Sequence, residues 1–252
     1  MARIPSKSNQ AVLLIADISG YTKFLRLHTL NTAHAQLVIT ELLESIIDAT
    51  MPPLKVSKVE GDAVLFYAMD IENALAQSRL AKAASAQLIA LFRAFYQKAI
   101  ELNARNLCFC DACRNVYSLR MKLIMHIGEV SIHRVKTFEE ILGTDVILIH
   151  RLLKNSVPSM EYILMTAEAY SRVGEFHQLK PEMRKENCEG IGKVDVVVFY
   201  PTADLIGIPD IQARFKSPSV FSKLHQIERI AMNGFLLLTG LKKLPKFHNL
   251  PV

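Results

Sequence analysis

Asp17 and Asp62 stand in similar local settings. Asp17 closes the apolar run Val12-Leu13-Leu14-Ile15-Ala16, and Asp62 lies in Glu60-Gly61-Asp62 between two apolar stretches. An aspartate ending a buried strand and another at a hairpin tip converge when strand and hairpin lie side by side in one sheet. Paired carboxylates are the hard oxygen ligands that magnesium and manganese take, with water and substrate phosphates completing the coordination. The alternative for each is a local role, an aspartate closing a turn. A second constellation is Cys108-Phe109-Cys110-Asp111-Ala112-Cys113. Three thiolates at that spacing can bind zinc if Cys188, His126 or His133 supplies a fourth ligand, and they can equally stand as free thiols.

The elements that must position these residues show as periodicities. Ala35, Val38, Ile39, Leu42, Leu43, Ile46 and Ile47 recur at three- and four-residue spacing, with Asn31 or Thr32 placed to cap and Pro52-Pro53 to stop. That spacing predicts an amphipathic helix. Leu54 to Val59 alternates, Glu60-Gly61-Asp62 turns and Ala63 to Tyr67 returns, which predicts a β-hairpin. Apolar residues from Leu75 to Ile100 keep helical period and predict one long helix over 70–102, capped by Asp70. Beyond it, the pattern predicts a strand, a hairpin or both over 119–132 and a helix over 143–155. Strands follow over 162–165 and 194–200, with a helix over 167–173 between them. This order predicts an α/β fold in which helices pack on a largely antiparallel sheet.

Composition bounds the rest. The chain has 252 residues, half of them hydrophobic, which excludes disorder as the main state and suits one large domain or a domain plus an appendage. No apolar run reaches the length of a membrane span or a signal-peptide core, and together with the clustered cysteines this predicts a cytoplasmic protein. The formal net charge is +6, and residues 203–252 supply +4 of it through seven basic and three acidic residues. No recognition helix or aromatic stacking motif accompanies that charge, so nucleic acid is not an expected partner. In this tail Phe221, Leu224, Ile227, Ile230, Ala231, Phe235 and Leu238 carry helical spacing between Pro218 and Pro245. The expectation is a basic amphipathic extension packed on its own domain or across a dimer, with docking on a membrane surface the less favoured role.

The strings around the two aspartates resemble those of class III nucleotidyl cyclases. Leu14-Ile15-Ala16-Asp17-Ile18-Ser19-Gly20-Tyr21-Thr22 is similar to that family's opening strand, and Lys58-Val59-Glu60-Gly61-Asp62-Ala63 to its Lys-x-x-Gly-Asp-Ala signature. His126-Ile127-Gly128-Glu129-Val130 resembles the His-Thr-Gly-x-Val strand. Leu142-Gly143 with Val146 and Arg151 resembles the Trp-Gly-Asn-x-Val-Asn-x-x-x-Arg helix, and Glu189-Gly190-Ile191-Gly192 the closing Lys-Gly-x-Gly strand. All five fall in family order, and the resemblance covers residues 11–202. It implies a divergent bacterial branch with a ferredoxin-like cyclase homology domain, a Cys-rich insertion at 106–116 and an extension at 203–252.

The resemblance also implies roles. Asp17 and Asp62 would hold Mg²⁺ or Mn²⁺, Ile18, Gly20, Tyr21 and Thr22 would lie on the nucleotide, Lys58 and Glu140 would contact the base, and Arg151 would contact phosphate. ATP is the favoured nucleoside triphosphate, cyclic AMP and pyrophosphate are the implied products, and a homodimer with shared sites is the implied assembly. A catalytically silent homologue that senses nucleotide or binds protein is the rival expectation. It rests on Ile147, which stands where the family has a hydrogen-bonding Asn, and on Ile191, where it has a phosphate-binding Lys. Loss of one oriented donor at a developing charge costs about 10²- to 10³-fold in rate.

Overall fold

The computed structural model describes residues 9–26, 32–69, 74–104, 115–136, 138–208 and 232. The chain runs β1 (Asn9–Ser19), α1 (Tyr21–Arg26), α2 (Thr32–Asp48), β2 (Lys55–Glu60), β3 (Ala63–Met69), α3 (Ala74–Ser85) and α4 (Leu88–Ala104). A short turn of 3-10 helix, Val116–Ser118, leads into β4 (Arg120–Val135), β5 (Phe138–Leu142), α5 (Thr144–Leu152), β6 (Tyr162–Thr166) and α6 (Ala167–Val173). β7 (Glu182–Cys188), β8 (Gly192–Phe199) and α7 (Ala203–Ile206) complete it. The strands form one sheet in the order β2-β3-β1-β4-β6-β8-β7, with β5 added to β4 outside that row. Every pairing is antiparallel except β4 with β6, which α5 joins as a crossover.

β1 lies near the centre of the row and is buried on both faces, which is why its sequence is a continuous apolar run rather than an alternation. Val12, Leu14, Ala16 and Ile18 face a core built with α2, α3, α4 and α6. Ala11, Leu13 and Ile15 face a second core closed by Val146, Ile149 and Leu152 of α5. Strand alternation therefore puts Asp17 on the α5 side of the sheet. No helix among the described residues is long and apolar enough to cross a membrane.

The mixed α/β architecture agrees with the expectation, and two details differ. The helix expected over 70–102 breaks at Ala86-Gln87, where the Gln87 side chain accepts a 2.8 Å hydrogen bond from the Met51 backbone. Of the alternatives expected over 119–132 the strand is the one formed; it continues to Val135 and turns at Lys136 into β5. β7 shows no apolar periodicity because it is a sheet-edge strand of mostly polar residues, Glu182 to Cys188, of which only Glu186 and Cys188 are buried. Past β8, Ile206 and Ile208 are buried, and the Arg93 guanidinium donates to the Ile206 carbonyl at 2.7 Å, which fastens α7 to α4. Asp70, Cys108, Cys110, Cys113 and the amphipathic residues from Phe221 to Leu238 named above lie outside the described residues.

Candidate functional site

The hairpin and β1 do lie side by side, with Asp17 opposite Ala63 in the β1–β3 ladder. The Ile18 amide donates to the Asp62 carbonyl at 3.0 Å, fastening the hairpin tip to the end of β1. The two carboxylates are close enough that the Asp17 charge acts on Asp62. Burial first, and then Asp17, push the Asp62 carboxyl up to about 6 from an ordinary 3.8; its backbone hydrogen bond and Lys122 offset this only in part. Lys122 sits opposite Asp17 in the β1–β4 ladder, and its ammonium lies 3.1 Å from Asp17 Oδ2. It also donates to the Leu153 carbonyl at 3.0 Å, tying Asp17 to the end of α5.

Asp17 thus has an internal cation and Asp62 stands half-buried beside a like charge. A set of carboxylate oxygens with uncompensated negative charge is what a hard divalent cation offsets, so the residues fit Mg²⁺ or Mn²⁺. Among the described residues no group of three or more His, Cys, Asp and Glu could hold a metal. The fit is therefore to an ion sharing its shell with water or phosphate, not to a closed structural site. Cys188, buried at the end of β7, is a free thiol, and both ring nitrogens of His126 are engaged by other side chains.

The other candidate residues fall into separate groups. Lys58 pairs with Glu60, two residues on along β2, and Glu60 also reaches His150 Nδ1 of α5 at 3.4 Å. Burial lowers the His150 imidazolium, and the Glu60 carboxylate works against that. Arg151 projects from the last turn of α5 and pairs with Glu189, in the β7–β8 turn, at 2.7 Å. Ile147, one helical turn earlier on the same face, is 54% exposed, and Ile191 in the β7–β8 turn is 44% exposed. Glu140 lies apart on β5, opposite His133 of β4, and is exposed. Gly20 ends the β1 segment and its carbonyl accepts from Phe24 at 2.9 Å, opening α1, which carries Tyr21 and Thr22. Ile18 is fully buried in the core on the far side from α5, so its amide rather than its side chain serves the hairpin tip.

His126-Ile127-Gly128 proves to be the seat of α5. Asp145, in the first turn of that helix, accepts from the Glu129 amide at 2.6 Å and meets His126 Nε2 at 3.1 Å. His126 Nδ1 meets Thr166 Oγ1 at 2.9 Å, and Thr166 caps α6 by accepting from the Ala169 amide. Burial, partly offset by Asp145, lowers the His126 pKa, which favours the neutral ring. A carboxylate only accepts, so the ring proton is on Nε2 and the Thr166 hydroxyl donates to Nδ1. Gly128 leaves the space: a Cβ there would lie 2.3 Å from Asp145 Cγ. Gly143, just before the helix, has φ +153, and a Cβ would approach the Glu129 carbonyl to 2.7 Å. The glycines let the α5 N-terminus close onto β4, and α5 in turn carries Arg151.

The sequence by itself points to no site role for Lys122, Asp145, Glu60, His150 or Glu189. Lys122 and Asp145 are found only through cross-strand register and crossover geometry. Glu189 heads the Glu189-Gly190-Ile191-Gly192 string, and its pairing with Arg151 is found only in the structure.

This mostly antiparallel sheet, with α5 the helix packed on one face among the described residues, matches the fold of class III adenylyl and guanylyl cyclase domains. The adenylyl cyclase CyaB from P. aeruginosa superimposes with a TM-score of 0.55 at 17% identity, over 79% of this chain and 97% of that one. A class III adenylyl cyclase-like ATP-binding protein from Pseudomonas aeruginosa gives 0.53 at 19% identity, over 66% of this chain and 35% of that one. In sequence, the chain is 34% identical over 174 residues to the uncharacterized protein Rv2561/Rv2562 of Mycobacterium tuberculosis, covering 68% of this chain and 78% of that protein. It belongs to the same family as that mycobacterial protein. The family described as "Protein of unknown function (DUF2652)" matches residues 39–162, the stretch from mid-α2 to the start of β6.

Proposed function

We propose that this chain is a class III nucleotidyl-cyclase-like domain of a divergent bacterial branch. It binds a nucleoside triphosphate, ATP favoured, together with Mg²⁺ or Mn²⁺, and converts it slowly to the cyclic nucleotide and pyrophosphate. The observation that carries this reading is the convergence of Asp17 and Asp62 at one edge of a cyclase-type sheet, with Asp62 short of a compensating cation. A divalent ion bound there would supply charge neutralisation for the phosphates.

The chain's own residues orient the nucleotide. Asp17, steadied by Lys122, and Asp62, fixed by the Ile18 amide, present carboxylate oxygens from a rigid strand end and hairpin tip. Lys58 on β2 and Glu140 on β5 supply a donor and an acceptor for the base. Arg151 offers a guanidinium to phosphate oxygens. Such sites, in the resemblance, lie between two subunits, so a homodimer is the proposed assembly, with the aspartates from one copy and α5 from the other. A cytoplasmic setting suits the free Cys188 thiol, and zinc at Cys108, Cys110 and Cys113 remains a separate proposal.

A second reading, nucleotide binding without turnover, is favoured by the exposed Ile147 on the face of α5 that bears Arg151. Its apolar side chain donates no hydrogen bond. Incubation of the full chain with Mn²⁺ and each of the four nucleoside triphosphates, followed by mass spectrometry against Asp62→Ala, separates the two. A cyclic product from the unaltered chain alone supports turnover and names the base. Retained substrate with intact binding supports the second reading, and absence of binding overturns both.

A further inference from the structure

The pairing of Arg151 with Glu189 has a chemical consequence for ligand affinity. A carboxylate and a phosphate present a guanidinium with the same feature, two anionic oxygens in one plane. Glu189 Oε2 lies 2.7 Å from Arg151 Nη1, so the group expected to receive phosphate already holds an oxyanion from its own chain. The flanking side chains, Ile147 and Ile191, are apolar and exposed, and neither competes for the guanidinium. The Glu189 side chain is 84% exposed, so withdrawing it from Arg151 requires no burial of charge.

The turn that carries Glu189 is built to allow this. Gly190 and Gly192 take left-handed φ values of +77 and +99, and a Cβ at either would meet nothing within 4 Å. The hydrogen bond from the Ile191 amide to the Cys188 carbonyl, 3.0 Å, closes the turn at its base. β2 repeats the arrangement, since Lys58 pairs with Glu60.

We propose that Glu189 is a built-in phosphate surrogate: it occupies Arg151 in the empty site, is displaced by the polyphosphate of the nucleotide, and so sets the affinity for nucleotides according to their phosphate number. This rests on the nucleotide reading above. The test is titration of the full chain with a fluorescent adenine nucleotide in Mn²⁺, comparing wild type, Glu189→Gln, Arg151→Gln and the double variant, with the tri-, di- and monophosphate. Glu189→Gln should tighten triphosphate binding about 2- to 5-fold, the range an exposed ion pair spans. The gain should shrink for the diphosphate, vanish for the monophosphate, and vanish in the Arg151→Gln background. A wild type that binds in a Mn²⁺-dependent way while Glu189→Gln gives the same constants, or tightens all three nucleotides alike, overturns the surrogate role and leaves the nucleotide reading standing. No binding by wild type or Glu189→Gln removes both.

Discussion

Above pH 6 the Asp62 carboxylate is ionised, half-buried, next to Asp17, and the fold bears that electrostatic cost. Its pKa is about 6 in the folded chain against an ordinary 3.8. The folded state therefore binds the proton more tightly than the unfolded state. The stabilising contribution is fully present below pH 3.8 and is lost as pH rises through about 6. Asp62→Asn removes the charge while keeping the shape. Without metal at pH 8, its melting temperature should exceed that of the wild type by about 1–4 °C, the effect of a solvent-screened penalty on the order of 1 kcal/mol. Below pH 4 the advantage should disappear. Differential scanning fluorimetry at both pH values checks this, and a wild type more stable at pH 8 would place Asp62 in a structural turn. A residue that weakens its own fold but is suited to a cation carries the signature of a functional position.

At the scale of the element, α5 is held at both ends: Asp145 closes its start onto β4, and Leu153 accepts from Lys122 at its end. Asp145→Ala leaves the buried Nε2–H of His126 without its acceptor, at about 1–3 kcal/mol. Urea denaturation should show that loss, and triphosphate affinity should fall as Arg151 loses its fixed position. Gly128→Ala should act in the same direction by displacing Asp145. Unchanged stability in both would mean that the contact is incidental. These supports also show what the sequence could reveal. Asp17, Asp62, the β2–β3 hairpin and α5 were legible because each sits within a short run whose periodicity or turn residues are local. Lys122 was not, because its meaning lies in register with a strand more than a hundred residues earlier in the chain. β7 was not, because an edge strand exposes most of its side chains and loses the apolar pattern. The break between α3 and α4 was hidden because the cause is a long-range contact, Gln87 with Met51.

For the whole molecule, the question is how the separate groups combine. Within one chain the aspartate pair, the Lys58–Glu60–His150 group and the Arg151–Glu189 pair each have their own partners, and Glu140 stands apart on β5. A site shared between two copies predicts complementation. Asp62→Ala and Arg151→Gln should each bind triphosphate poorly alone. Dissociated and reassociated together, they should recover about a quarter of the wild-type sites, since half the dimers are mixed and each mixed dimer holds one intact site. No recovery, with dimers confirmed by light scattering, would place all the groups in one subunit. Metal-dependent nucleotide binding at Asp17 and Asp62 underlies this assembly, and calorimetric titration of ATP into the full chain measures it. ATP should bind in Mn²⁺, and binding should be lost in EDTA and in Asp62→Ala. ATP binding that persists in EDTA, or is equal in the variant, would contradict it.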